Sequence, residues 1–328
     1  MPKNIPITLA CGDYDILQPL LDGRVRAEGV DLTFVTNLDS FTRHSRFLQG
    51  GEFDAAELSG SSYLMAKDRG LSIDAIPVFP HRRFRHGFVF INTGAGIKAP
   101  KDLAGKRVGV KSFQATAMLW IRGILEHDYG LQHRSMTYFS DLDEDIAFDL
   151  PQGLHLTRLP AGKKIEQMVV DGELDAVLHT DMIPAMVAKD KRVARLFPNH
   201  LAEEKAYFRK TGIFPIMHVV GLRQSLVERY PWLPVNLYKA FDEAKAEAMQ
   251  RMLNPRIVPL AWYNEFREEQ EELLGPDPWE YDLTDRNRAN IGAMVAYSHE
   301  QGLIKRKLSM EELFVSISEG RKRGGFKI

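Results

Sequence analysis

Apolar and polar positions follow one another along this chain in two rhythms, one of period two and one of helical spacing. The run Ile5 to Ala10 reads as a buried strand, and after Gly12-Asp13 the apolar positions Ile16, Leu17, Leu20 and Leu21 return at helical spacing. A second unit follows: Val30 to Val35 as strand, Phe41 to Leu48 as helix, and Phe53 to Leu58 as strand, with Ser59 placed to cap the next helix. Strands that alternate with helices predict a mostly parallel sheet. The series restarts after Lys98-Ala99-Pro100, with a strand at Arg107 to Val110 and a helix from Ala115 to His127. Gly51-Glu52-Phe53-Asp54-Ala55-Ala56 is echoed by Gly172-Glu173-Leu174-Asp175-Ala176-Val177, each behind a helical pattern, which reads as one helix-turn-strand unit used twice.

These patterns predict an α/β protein of two lobes, each a mostly parallel sheet flanked by helices. Residues 1–94 and 213–328 form a discontinuous first lobe and residues 95–212 the second, with Ile213 to Leu222 as the strand that returns between them. The last third is mainly helical. Pro234 stands near a helix start, Leu237, Phe241, Ala244, Ala248 and Met252 share one face, and Thr284 is placed to cap a helix over Asn287 to Gln301.

Length agrees, because 328 residues exceed what one compact core usually holds. The 43 basic and 44 acidic residues leave a net charge of -1, which argues against a nucleic-acid partner gripped through its phosphates. Any anion site is therefore local. The single cysteine, Cys11, cannot form an internal disulfide, and Met1-Pro2-Lys3-Asn4 leads into the first strand with no apolar leader. No segment offers the ~18 apolar residues of a membrane span. A cytoplasmic protein with no membrane partner is expected, and a homo-oligomer is left open.

Ligands of open parallel sheets bind beyond the carboxyl ends of strands. That rule nominates Asp13 and Tyr14 with Glu57 and Ser59 in the first lobe, and Ser112, Gln114, Thr116 and His179 in the second, where Ser112 to Thr116 would cradle a carboxylate at a helix N-terminus. The densest donor cluster is His81-Arg82-Arg83-Phe84-Arg85-His86, at a predicted crossing between lobes. Guanidinium groups take planar carboxylates bidentately, so this segment is expected to face an interlobe cleft that handles a small organic anion. If it is extended, His81, Arg83 and Arg85 face one way and Arg82, Phe84 and His86 the other. His81, His86, His179 and His218 are the candidate proton carriers. With Glu57 and Asp13 they could also hold a divalent metal, although no recognisable ligand spacing exists, so no cofactor is assigned. Cys11 reads as a small buried hydrophobe, and there is no phosphate-binding glycine motif. Tyr63, Phe79, Phe84, Phe113 and Trp120 offer an aromatic wall or a core.

Phe79-Pro80-His81-Arg82-Arg83-Phe84-Arg85-His86, the run Gly109 to Leu125, Arg229-Tyr230-Pro231-Trp232 with Leu237-Tyr238-Lys239-Ala240-Phe241, and Tyr297-Ser298-His299-Glu300-Gln301-Gly302-Leu303 resemble 4,5-dihydroxyphthalate decarboxylases, over almost the whole chain. The resemblance implies a two-lobed, type II periplasmic-binding-protein-like fold and a cofactor-independent carboxy-lyase that converts an aromatic ortho-dicarboxylate, 4,5-dihydroxyphthalate, to 3,4-dihydroxybenzoate. Carboxylate binding falls to Arg82, Arg83 or Arg85, proton donation to His86 or His81, and base or orienting roles to Glu57 and His179; His218 joins Asp13, Tyr14, Ser59, Ser112, Gln114 and Thr116 as substrate-binding. The alternative is a solute-binding or sensor protein that closes on such an anion without turnover.

Overall fold

The computed structural model describes residues 3–317. Residues 1–2 and 318–328, which the sequence pattern assigns to the first lobe, lie outside the described residues. The chain divides into two compact units. Among the described residues, one takes 3–82, His218–Arg288 and 308–317; the other takes Arg83–Met217 and Ala289–Lys307.

The first unit is built on a five-stranded sheet of order β2-β1-β3-β11-β4, formed by β1 (Ile5–Ala10), β2 (Val30–Val35), β3 (Ala55–Ser59), β4 (Ile73–Ile76) and β11 (His218–Arg223). β2, β1 and β3 run parallel, and β11 lies antiparallel between β3 and β4. The second unit is built on β5 (Val89–Asn92), β6 (Arg107–Val110), β7 (Thr137–Ser140), β8 (His155–Arg158), β9 (Ala176–Leu178) and β10 (Val193–Arg195), in the order β10-β5-β9-β6-β7-β8. Here β5 is the antiparallel member. Each sheet is thus mixed, mostly parallel with one reversed strand. Residues 83–94 and 213–217, expected in the first lobe, fall in the second unit, and the reason for the former is the pairing of β5 with β9 and β10. Ala289–Lys307 also belongs there, because its helix (Asp285–Glu300) packs Tyr297 on Trp120 and sends Gln301 to Arg122.

The sequence echo is a structural repeat. Gly172 caps the helix Ile165–Asp171 and Gly51 stands in the turn after the helix Ser40–Leu48; both take positive φ, at 75° and 56°, without the steric cost a side chain would meet. Asp54 then accepts a hydrogen bond from the Thr8 N–H of β1 at 2.8 Å, and Asp175 accepts one from the Arg107 N–H of β6 at the same distance. Each aspartate ties its strand to the parallel neighbour. Phe53 and Leu174 are buried behind them.

Tyr63, Phe79, Phe113 and Trp120 are core residues, and the Trp120 indole donates to the Ile216 carbonyl. Among the described residues no helix is long and apolar enough to cross a membrane.

Gly123 lies in the helix Thr116–Tyr129, where a Cβ would sit 2.1 Å from the Tyr297 ring. Trp120 and His127 flank that ring and leave it little room to move. Gly123→Ala is expected to lower unfolding free energy by about 1–3 kcal/mol. Gly292→Ala, with open space around the new Cβ, is expected to raise it by about 0.5–1 kcal/mol. Urea unfolding of the two variants checks both signs.

Candidate functional site

Glu57 is the third residue of β3, a strand whose five residues are all buried. In the repeat its counterpart is Leu178, so the first unit carries a carboxylate where the second carries a core leucine. Every contact around it follows from local structure. The register of β3 with β11 sets Glu57 opposite Val220 and Ser59 opposite His218. Side chains two apart on a strand share a face, so His218 lies diagonally beside Glu57 on the same side. The helix Ser40–Leu48, capped by Asp39, turns Arg43, His44 and Phe47 inward. The loop after β1 brings Gly12 and Tyr14.

The carboxylate receives four donors. The Gly12 N–H donates at 2.7 Å, the Tyr14 hydroxyl at 2.7 Å and an Arg43 guanidinium nitrogen at 2.8 Å, and His218 Nδ1 makes a short hydrogen bond. Burial alone would raise the Glu57 carboxyl. His218, Arg43 and Tyr14 outweigh it and hold the group well below the usual carboxylate range. Burial, and then Glu57 itself, push the Tyr14 phenol far up, so it stays a neutral donor. Burial and Glu57 likewise push the Cys11 thiol up to about 12, which makes Cys11 the inert hydrophobe that its type predicts.

Three histidines meet at this centre. The His218 ring has His44 edge-on at 5.0 Å and His81 edge-on at 4.8 Å, and His81 stacks on Tyr14 at 5.9 Å. Burial, and then His218, hold His44 well below the normal histidine range, so it is neutral near pH 7. The arrangement can pass protons. A buried carboxylate fixes the Nδ1–H of one imidazole and leaves its Nε2 to exchange, while neighbouring rings stand within reach.

Of the sequence-nominated residues, the structure therefore gathers Glu57, Tyr14, His81 and His218 in the first unit. Asp13 is exposed and accepts from Gln18, and Ser59 caps the helix Gly60–Asp68 by accepting from the Ser62 N–H. Arg82 is turned inward, with its guanidinium on the Glu280 carbonyl and Asn287.

The basic segment does not act as one cluster. Arg83 and Arg85 do share a side, both over the Phe88 ring, as alternation predicts. Arg85 is nevertheless buried, bonded to the Thr180 carbonyl and to Met217, and burial lowers it to about 9. His86 begins a short 3-10 turn and lies within an aromatic cage of Tyr129, Phe197 and Tyr207, where burial pulls it down to about 4. Phe84 packs on Phe208 and Phe214. Arg83 keeps an exposed guanidinium, paired with exposed Asp181 at 3.0 Å, a surface ion pair of little net worth.

The carboxylate cradle expected at Ser112, Gln114 and Thr116 is filled by the protein itself. The N–H groups of Phe113 and Gln114 donate to Glu144 at 2.6 and 2.9 Å, and Ser112 and Thr116 are buried. His179 is pinned between the Asp181 backbone and Glu166, which also binds Lys111. Burial would raise Glu166, but His179 and Lys111 bring it down to about 2.

Arg43 and His44 were not among the nominated residues. Their helix reads as a polar surface helix, and the signal for them is the buried charge of Glu57, which demands a cation nearby.

The family model described as NMT1/THI5 like matches residues 23–141. The 4,5-dihydroxyphthalate decarboxylase of Comamonas testosteroni is 34% identical over 321 residues, covering 95% of this chain and 97% of that protein. The one from Pseudomonas putida is 36% identical over 183 residues, or 54% of this chain and 70% of that protein. The alkanesulfonate-binding protein SsuA from Xanthomonas axonopodis pv. citri, solved bound to MOPS, matches with a TM-score of 0.57 at 12% identity, over 94% of this chain and 97% of that one. At that identity the likeness speaks for the fold: two mixed sheets flanked by helices, as in periplasmic binding proteins. The identity to the Comamonas protein along nearly its full length establishes that this chain belongs to the 4,5-dihydroxyphthalate decarboxylase family.

Proposed function

We propose that this protein decarboxylates 4,5-dihydroxyphthalate to 3,4-dihydroxybenzoate and that the Glu57–His218 pair carries the proton. The observation that supports this assignment most is the Nδ1 bond from His218 to a fully buried carboxylate that Arg43, Tyr14 and Gly12 also hold. Family membership supplies the substrate, and the pair supplies the acid.

The chemistry needs one proton delivered to carbon. The hydroxyl para to the departing carboxylate releases electron density into the ring as its proton passes to a base. The ring carbon that bears the carboxylate accepts a proton, which gives a dienone-like intermediate. The C–C bond to the carboxylate then breaks, its electron pair restores the aromatic ring, CO2 departs, and the para oxygen regains its proton. The balance is one proton consumed and one CO2 released, and no step calls on a cofactor.

Glu57 is too deeply bonded to meet substrate. Its role is to fix the His218 tautomer and stabilise the imidazolium, as a buried carboxylate does for a catalytic histidine. His218 protonates the ring carbon through Nε2. His81, edge-on to His218, serves the hydroxyl, and Tyr14 orients His81 by stacking. Neutral His44 adds no second positive charge beside the imidazolium. Arg82 and Arg85 have their guanidinium groups bonded inward, so neither is assigned the carboxylate-holding role. A cytoplasmic setting suits a protein whose only cysteine is a buried thiol.

Chelator-treated protein supplied with 4,5-dihydroxyphthalate is expected to release CO2, and the ring's ultraviolet spectrum follows the reaction; saturable binding without turnover would sink the assignment. His218→Asn keeps an N–H for Glu57 but cannot donate as an acid, so its kcat should fall by about 10²–10⁴-fold. A loss below tenfold would remove His218 from the mechanism.

The same carboxylate sets an acid limit on stability. Its folded pKa is depressed, so its contribution is complete above the unfolded value of about 4.3 and disappears as pH falls below it. Glu57→Gln should therefore lose less stability on acidification than the parent, by up to about 1.4 kcal/mol per pH unit below pH ~4. Parallel slopes in chemical unfolding at pH 3 to 6 would contradict this.

A further inference from the structure

The strands β7 and β8 are parallel neighbours, yet residues 141–154, which join them, form neither helix nor strand. A parallel connection ordinarily runs through a helix, and a long irregular one is commonly functional. This strap is acidic. Asp141, Asp143, Glu144, Asp145 and Asp149 fall within nine residues that hold no Lys, Arg or His. Asp141 anchors its start through Lys111 and the Ile165 N–H, whereas Asp143, Ala147, Asp149 and Leu150 are exposed.

The strap presses one carboxylate against the start of the helix Thr116–Tyr129. Glu144 takes the Phe113 and Gln114 N–H groups, one on each oxygen, at 2.6 and 2.9 Å. The Ile146 N–H donates to Gln114 Oε1 at 3.3 Å, and Phe148 stacks on Phe113 at 5.9 Å. Behind the same turn stands an unbalanced charge. Arg122 is fully buried, donates to the Phe113 carbonyl and to Gln301, lies 3.6 Å over the Phe113 ring, and has no carboxylate partner among the described residues. Its Nη1 and the Nε2 of buried Gln114 make no hydrogen bond. A buried guanidinium calls for an anion nearby, and two free donors beside two occupied N–H groups make this an anion site rather than a helix cap alone.

Glu144 is a poor permanent occupant of that site. Burial pushes its carboxyl up, more than the Gln114 and Phe113 N–H groups and Arg122 pull it down, and Asp145 adds to the rise. Glu57, which its donors hold down, is the opposite case. The acids of the strap also repel one another, and Glu144 reaches neither free donor. We infer that Glu144 is an internal anion that stands in for a small external carboxylate: the ligand takes the Phe113 and Gln114 N–H groups together with Arg122 Nη1 or Gln114 Nε2, and the strap 142–150 is released. Every residue concerned belongs to the second unit, so the inference does not depend on the reaction proposed for the Glu57 centre.

Phthalate, which carries two carboxylates and no hydroxyl, is the probe. Hydrogen exchange of the unmodified full chain, read by mass spectrometry at saturating phthalate, should speed up across residues 142–150 while residues 113–116 stay protected. Glu144→Gln keeps the size of the side chain and loses its charge. Its strap should exchange faster even without phthalate, and it should bind phthalate about tenfold more tightly, because removing the competitor raises the fraction of open sites. Asp143→Asn, which removes an exposed charge from the same strap, should bind phthalate as the parent does, and circular dichroism checks that both variants fold. Phthalate that does not bind, or that binds and leaves exchange across 142–150 unchanged or slower, overturns the inference. So does a Glu144→Gln variant that binds no more tightly than the parent, or an Asp143→Asn variant that gains as much as Glu144→Gln.

Discussion

A carboxylate without access to water must be paid for by its neighbours, and Glu57 organises the first unit around that requirement. Taking a lone charge into a protein interior costs several kcal/mol even after relaxation, so the group persists only where donors and a cation surround it. The strand register supplies His218, the capped helix supplies Arg43, and the loop after β1 supplies Gly12 and Tyr14. Four segments far apart in sequence thereby become interdependent. Removing Arg43 alone would leave an uncompensated buried charge, whereas replacing the whole set by hydrophobes would not. A buried ion pair is by itself poor evidence of a device for stability, which agrees with the proton-handling role proposed for Glu57.

The repeat makes the same point from the opposite direction. Both units use a glycine in the left-handed region, an aspartate that ties adjacent parallel strands, and a buried apolar residue between them. The match then breaks at Glu57 against Leu178. The repeat carries leucine at this position in one unit and a charge in the other, a difference that the proton-handling role proposed for Glu57 would account for.

Much of the architecture is legible in the sequence because it is written in local patterns. Ile5–Ala10, Val30–Val35 and Arg107–Val110 begin and end where the apolar runs do, Ser59 caps its helix, and the Thr284 hydroxyl accepts from the Asn287 N–H. What is not local is not legible. The placement of β5 with the second unit depends on antiparallel partners more than 80 residues away, β9 and β10. Among site residues, Glu57, Tyr14, His81 and His218 were visible as polar groups on or near strand ends. Arg43 and His44 were hidden because a polar helix does not announce which of its faces turns inward. The basic segment misled for a related reason: a density of arginines says nothing about which guanidinium groups meet backbone carbonyls, as Arg82 and Arg85 do.

The central claim is that ionised Glu57 holds His218 as the Nδ1–H tautomer and leaves Nε2 to exchange its proton. Side-chain ¹⁵N–¹H correlation spectroscopy of the histidines, followed through a pH titration, measures this directly. The account predicts a persistent Nδ1–H resonance for His218, protected by its hydrogen bond to the carboxylate and lost in Glu57→Gln. A His218 ring that is protonated on Nε2 when neutral, or an Nδ1 signal unchanged by Glu57→Gln, would contradict it.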